Sequence, residues 1–228
     1  LELCQGCGAC LFRGEEHCPL KDGREELQGR LLAAEGVVFA CPVYTMNVPW
    51  LMKNFLDRFA YTMHRPRFFS QRTLLLCTTG AVGLNEGLKS LGVVRYCGFD
   101  IAAEVGFITP PGPTSPEAQR KIDSDLAQAV TRFHEALVRG RRPSPTLADL
   151  MVFRCQQAVF SVAAAECPKD HAYFTEAGWF EAKCKYYVDV PVNPIRDMIA
   201  RRVGNMTRRA AGKEQRATGD SRSGGEKA

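Results

Sequence analysis

The sequence has few histidines and no long uninterrupted apolar run. The four histidines among its 228 residues are isolated, so neither a histidine metal pair nor a nucleophile–histidine triad has the necessary spacing. The first residues do not join a basic stretch to an apolar one, and we expect no secretory signal peptide. The apolar helix predicted at residues 146–166 is interrupted by Arg154, Gln156 and Gln157, whereas a membrane span needs about 20 predominantly apolar residues. We therefore expect a cytoplasmic protein without a membrane partner.

Acidic residues are scarce at the C-terminal end. Residues 201–228 hold eight Lys or Arg against three Asp or Glu and so carry the whole net charge of +5. Residues 1–200 balance to zero, so the basic charge describes the tail and does not indicate a nucleic-acid face on the folded part. We expect no nucleic-acid partner. Because the end of the chain is polar and rich in Gly and Ser, we predict a disordered basic tail over residues 206–228.

Three short apolar runs alternate with helical patterns through the first 140 residues. Continuous apolar runs that are rich in β-branched residues are typical of strands buried on both faces, and they alternate here with amphipathic helices. This order predicts an α/β fold with a parallel sheet covered by helices. Three strands leave unpaired edges, so we expect either that part of the sheet is missing or that a further element covers the edges. The predicted strands are Val37–Tyr44, Arg72–Gly80 and Asp100–Ile108, with a long helix at Glu117–Gly140.

Two of the strands end in loops that could hold a flat ligand. Ligands of open parallel sheets lie outside the carboxyl ends of the strands. The loops "CPVYTMN" and "CTTGAVG" offer a planar ring, hydroxyl groups and glycines that allow a close approach of the backbone. On spacing alone, the alternative of ordinary strand–helix turns stays open.

The stretch "CPVYTMNVPWLMKNFLDR" resembles the loop and helix of the flavodoxin-like NAD(P)H-dependent FMN reductases. Their pattern is Ser/Thr-Pro-Val-Tyr, a short polar loop, and then Leu-Lys-x-Phe-x-Asp-Arg. A cysteine cluster before a Lys-Asp pair and a helix is similar to the iron–sulfur flavoprotein branch of that family. The resemblance implies a partial flavodoxin-like FMN-binding domain with the cysteine cluster at residues 1–140, followed by a helical C-terminal extension at 141–205. The matching residues are Pro42, Val43, Tyr44, Met52, Lys53, Phe55, Asp57 and Arg58.

The resemblance implies that the two loops hold FMN, with Tyr44 against the flavin ring and Thr78 and Thr79 hydrogen-bonded to it. Cys41 departs from the Ser or Thr that the family usually has at this position. The family's first strand and phosphate loop would lie before Leu1, so we expect an incomplete chain that binds FMN weakly. The implied FMN-binding residues are Pro42, Val43, Tyr44, Thr45, Met46, Asn47, Thr78, Thr79, Gly80, Ala81 and Gly83.

Four cysteines stand close together at the start of the chain, in the pattern Cys-x2-Cys-x2-Cys-x7-Cys-Pro. Three cysteines at intervals of three are typical of [4Fe–4S] ligands, and a proline after the last one recurs in ferredoxins. Structural zinc is the rival, although its cysteine pairs are usually further apart. Thiols without any metal are the third alternative. The candidate ligands are Cys4, Cys7, Cys10 and Cys18.

Together these features indicate an oxidoreductase that moves electrons between NAD(P)H or a redox partner, FMN and a [4Fe–4S] cluster. No residue is predicted to act as a catalytic acid or base, because the cofactors would supply the chemistry. The alternatives are a plain NAD(P)H-dependent FMN reductase of quinones or nitro compounds, and a non-enzymatic electron carrier. The resemblance further implies a homodimer or homotetramer that meets a redox partner or a small-molecule electron acceptor.

Overall fold

The computed structural model describes the backbone of residues 1–223 and the side chains through Lys213. The chain divides into two compact units, which are described separately. The first comprises Leu1–Cys7 and Pro19–Arg142, and the second comprises Gly8–Cys18 and the chain from Pro143 onward. In chain order the elements are α1 (Ala9–Phe12), α2 (Arg24–Ala33), β1 (Gly36–Pro42), α3 (Trp50–Arg58), α4 (Tyr61–His64), β2 (Arg72–Thr79), α5 (Leu84–Leu91), β3 (Asp100–Ile108), α6 (Pro116–Arg139), α7 (Leu147–Val162), α8 (Pro168–Glu176) and α9 (Pro194–Ser223), with 3-10 helices at Glu15–His17 and Gly92–Cys97.

The first unit is built on a parallel sheet in the order β1-β2-β3. One face of the sheet packs on an aromatic cluster, in which the rings of Phe68 and Phe99 stack at 4.5 Å and Phe39 meets Phe99 edge-on at 5.3 Å. On the other face, Leu74 and Ala103 are buried against Ala129 of α6. The sheet and its helices confirm the predicted α/β, flavodoxin-like fold, and the strand bounds agree with the prediction to within two residues.

The segment after β1 forms two helices. Helix α3 ends at Arg58, and α4 begins at Tyr61 after a turn. Of its apolar stripe, Phe55 and Phe59 pack together at 4.8 Å between ring centroids, whereas Trp50 stays exposed.

The second unit confirms the predicted helical extension and is held by aromatic packing and a buried ion pair. Phe174 is fully buried, and its ring centroid lies 4.9 Å from that of Trp179. The indole N–H of Trp179 donates to the carbonyl of Tyr187 at 2.9 Å. Arg154 of α7 donates to Asp197 of α9 at 2.7 Å, which joins the two longest helices of this unit.

Two expectations about chain organisation differ from the structure. The predicted disordered tail is helical from residue 206 to Ser223, as part of α9, while residues 224–228 lie outside the described residues. Ala, Arg, Lys, Gln and Glu supply most of this stretch and favour a helix over the scattered glycines. The predicted 1–140 domain also does not keep all four N-terminal cysteines, since residues 8–18 belong to the second unit. Within the described part of the chain, no helix is long and apolar enough to cross a membrane.

Candidate functional site

The first strand-end loop is a tight turn at residues 44–47. The backbones of Tyr44 and Asn47 exchange two hydrogen bonds, of 2.9 and 3.0 Å. The two central residues, Thr45 and Met46, have φ of 52° and 56°, in the left-handed region that non-glycine residues seldom occupy. Such strain persists only where surrounding contacts enforce it, and it gathers at ligand sites.

The second loop, at residues 78–83, is held by a hydrogen bond between two of its own residues. The Thr79 hydroxyl donates to the carbonyl of Val82 at 2.6 Å. Gly83 then enters α5 with φ of 88°, which a residue with a Cβ adopts only at a cost. This hydrogen bond and the backbone angle of Gly83 together fix the conformation of the loop before α5 begins.

The two loops lie against each other at the carboxyl end of the sheet. Val43 donates its backbone N–H to the carbonyl of Thr78 at 2.7 Å, which extends the pairing of β1 with β2. A Cβ at Gly83 would lie 2.8 Å from the Cα of Met46, so the backbones meet at this point. One at Gly87 would lie 2.4 Å from a methyl carbon of Val43. The sequence expectation that both loops belong to one site therefore has a geometric basis.

The predicted FMN-binding residues divide into exposed and buried groups. Tyr44 and Met46 expose 63% and 53% of their surface in the first loop, and Val82 of the second loop, which was not among the predicted residues, exposes 68%. The side chains of Val43 and Thr79 are buried, so they shape the site from beneath. Thr78 is half-buried, Gly83 is buried, and the remaining predicted residues are exposed: Pro42, Thr45, Asn47, Gly80 and Ala81.

Two thiols lie under the loops. Cys41 and Cys77 are register partners in β1 and β2, and both are buried. Burial raises the pKa of the Cys77 thiol to about 12 and also raises that of Cys41. Both therefore stay protonated at neutral pH and serve as small apolar packing groups beneath the site.

The start of the chain is held by residues that sequence reasoning did not single out as functional. Asn54 of α3 accepts the backbone N–H of Cys4 at 2.9 Å and donates to the carbonyl of Glu2 at 3.1 Å. Arg58 donates to the same carbonyl at 2.8 Å and to Asp22 through both of its terminal nitrogens, also at 2.8 Å. Asp22 in turn accepts the N–H of Glu2 at 2.7 Å. The one sequence feature that could have drawn attention to Arg58 is its place in the quoted Asp-Arg motif.

The Asp22 carboxylate is held in its charged form. Burial pushes its pKa upward, but hydrogen bonds from Arg58 and from the backbone N–H groups of Glu2 and Arg24 outweigh that effect. They hold the pKa at about 2, below its ordinary 3.8. The position of the first cysteines thus depends on a buried ion pair.

The four N-terminal cysteines are free thiols carried by both units. Cys4 and Cys7 are exposed and belong to the first unit, whereas Cys10 and Cys18 are half-buried in the second. Within the second unit, the Glu16 carboxylate accepts a hydrogen bond from the ammonium group of Lys169 in α8. Gly6, Gly8 and Gly14 between the cysteines have left-handed φ, which wraps this segment tightly.

The thiols are of the kind that ligates an iron–sulfur cluster. Four cysteines without disulfides are the right donor set for [4Fe–4S]. Among the described residues, however, no three His, Cys, Asp or Glu come together as a metal site. At the strand-end loops the backbones approach closely at Gly83, and the side chains of Tyr44 and Met46 beside this contact are exposed.

Comparisons with known proteins point to one family. The family of NADPH-dependent FMN reductases matches residues 3–97. An iron–sulfur flavoprotein of Archaeoglobus fulgidus is 30% identical over 158 residues, which cover 66% of this chain and 67% of that protein. One of Methanosarcina thermophila is 38% identical over 55 residues, covering 24% and 28%. An FMN-dependent NADH:quinone oxidoreductase of Yersinia enterocolitica is 28% identical over 138 residues, covering 54% and 66%.

The fold, the paired loops and these relatives define a flavodoxin-like, NAD(P)H-dependent flavin oxidoreductase. The chain belongs to the NADPH-dependent FMN reductase family. It spans about two thirds of the length of the Archaeoglobus relative and no more of the other two.

Proposed function

We propose that this chain binds FMN at the loops 42–47 and 78–83 and transfers electrons between NAD(P)H or a redox partner, FMN and a [4Fe–4S] cluster. The observation that carries the flavin part is the backbone contact between the left-handed turn and Gly83. The cluster part rests on the spacing of Cys4, Cys7, Cys10 and Cys18 and on the names of two relatives.

The side chains of the loops would orient the flavin and leave its chemistry to the cofactor. When bound, FMN supplies hydride and single-electron transfer. The exposed ring of Tyr44 offers a face for stacking, and Thr78 offers a half-buried hydroxyl. Because neither loop contains Asp, Glu, His, Lys or Arg, no charged acid or base from them would take part in proton transfer.

Replacing Tyr44 with alanine is expected to weaken FMN binding about tenfold, because the exposed ring would lose its stacking contact with the flavin. Quenching of flavin fluorescence during titration of the chain measures the dissociation constant. Tyr96→Ala is the matched control, since Tyr96 lies beside α5 in the Gly92–Cys97 helix and is also partly exposed. Equal affinities for the two variants would contradict the role of Tyr44.

Anaerobically purified chain is expected to contain about four irons and four sulfides, and Cys7→Ser is expected to lose them. Iron, sulfide, zinc and FMN per chain are the quantities to measure. Cys155→Ser is the control. Within the described residues, this half-buried thiol has a single hydrogen-bonding partner, the Thr207 hydroxyl at 3.5 Å.

Three other outcomes of that measurement would contradict part of the proposal and indicate a different function. Iron-free chain that binds FMN and oxidises NAD(P)H would be a plain flavin reductase. About one zinc per chain, lost in Cys7→Ser, would indicate a structural metal. Iron without FMN binding would leave a non-enzymatic electron carrier. The cytoplasmic location and the homodimer or homotetramer stay predictions, and light scattering of the purified chain measures the second.

A further inference from the structure

Helix α9 presents an exposed face that carries both apolar and basic side chains. Ile195, Met198, Ile199 and Met206 expose 65%, 50%, 39% and 70% of their surface. Arg202 and Arg209 are exposed in the same stripe, because positions three or four apart share one face of a helix. These six residues are called the α9 face.

The opposite side of α9 is occupied. Asp197, Ala200 and Gly204 are buried, and a Cβ at Gly204 would lie 3.0 Å from the backbone oxygen of Arg154. The orientation of the helix is therefore fixed by packing against α7, and the exposure of the α9 face follows from it.

The exposed charges of α9 are of one sign as far as its side chains are described. From Pro194 to Lys213 the sequence of the helix contains a single acid, Asp197. That carboxylate is buried and bound by Arg154 at 2.7 Å and by Arg201 at 2.9 Å. The exposed cations of this stretch are Arg196, Arg201, Arg202, Arg208, Arg209 and Lys213.

We propose that the α9 face binds the surface of a membrane that contains anionic lipids. The isoleucines and methionines would enter the boundary between headgroups and acyl chains, and the arginines would contact lipid phosphates. The helix would lie in the plane of the surface. Sequence reasoning expected no membrane partner because it found no spanning segment, and binding in the interface requires none. The proposal is independent of FMN and of the cysteines.

The same features disfavour two other occupants. A symmetric pair of α9 faces would bring like charges together, while the cores of stable protein interfaces are depleted of charge. Single-stranded nucleic acid is held by cations together with aromatic rings that stack on its bases, and α9 has no aromatic residue between Pro194 and Lys213. A surface of anionic lipids complements exposed isoleucine and methionine side chains that lie among cations.

Co-sedimentation of the full chain with vesicles tests the proposal. We expect binding to vesicles of phosphatidylcholine with 30% phosphatidylglycerol (roughly the anionic fraction that gives a strong surface potential), weaker binding at high salt, and little binding to phosphatidylcholine alone. Arg202→Gln with Arg209→Gln is expected to weaken binding about 25-fold, at about fivefold per cation near an anionic surface. Met198→Gln with Met206→Gln is expected to weaken it about tenfold through lost apolar burial.

Arg120→Gln with Arg132→Gln on α6 is the charge-matched control, since both arginines are exposed on another helix. This control is expected to bind like the unaltered chain. Absence of binding to anionic vesicles would overturn the proposal, and so would an equal loss in the control, which would indicate net charge alone. It would also be overturned by a dimer that the methionine variant dissociates, or by DNA binding that only the arginine variant weakens.

Discussion

Replacing Gly83 with alanine is expected to reduce the free energy of unfolding by about 2–4 kcal/mol and FMN affinity at least about tenfold. Gly83 has φ of 88°, where a side chain is strained. The added Cβ would also lie 2.8 Å from the Cα of Met46, and that backbone atom cannot rotate away. The turn at residues 44–47 must then move, and with it the exposed ring of Tyr44.

Denaturant unfolding and flavin titration measure the two effects, and the chain offers a close control. Gly80 lies in the same loop, but a Cβ there would meet nothing within 4 Å. Gly80→Ala is therefore expected to change stability by less than about 0.5 kcal/mol and serves as the control for the stability effect. If the two variants behaved alike, the contact between the loops would not shape the site.

Replacing Arg58 with methionine is expected to cost about 3–5 kcal/mol of stability, because it leaves the Asp22 carboxylate without its buried partner. The exposed fractions of the two side chains are 1% and 11%. Methionine keeps much of the apolar volume and removes the donors to Asp22 and to the carbonyl of Glu2. Residues 1–7 should then detach from α3, which limited proteolysis and alkylation of Cys4 would detect.

The Asp22–Arg58 pair also predicts how stability depends on pH. Because the pKa of Asp22 is about 2 in the folded chain and 3.8 ordinarily, its stabilising effect is complete above about pH 5 and is lost as pH falls toward 2. Asp22→Asn should lower stability at neutral pH and remove this part of the acid dependence.

The control for both variants is a pair on the surface of the same helix. Lys53 and Asp57 of α3 form an exposed ion pair, so Lys53→Met is expected to cost at most about 0.5 kcal/mol. A similar loss in Lys53→Met and Arg58→Met would show that charge on α3, rather than the buried contact, supports the N-terminal segment.

The three strands could be predicted because each contains a continuous apolar run in the sequence. The expected burial on both faces is not found in β1, where Val38 is 51% exposed. Asp100–Ile108 was predicted with its observed bounds, and Arg72–Thr79 with one residue more. The flavin loops could be located because parallel strands end at the same edge of the sheet. Resemblance alone supplied the identity of the ligand.

The roles of single residues could not be predicted, because they depend on contacts that are distant in sequence. Thr79 looks like a ligand donor in the sequence, yet its hydroxyl donates to the carbonyl of Val82. Val43 matches a family motif and is buried over Gly87 of α5. Asn54 looks like an ordinary helix residue and Arg58 only like part of a family motif, yet both bind a segment fifty or more positions earlier in the chain.

The pairing of Cys41 with Cys77 in neighbouring strands gives this chain two chemically separate populations of sulfur. The sheet keeps its thiols buried and protonated, so they are poor nucleophiles toward oxidants and electrophiles. Cys4 and Cys7 are open to solvent. Under oxidative stress, damage would therefore begin at the terminal segment while the sheet beneath the candidate flavin site kept its sulfur reduced. The sheet tolerates these cysteines because burial keeps their thiols unreactive.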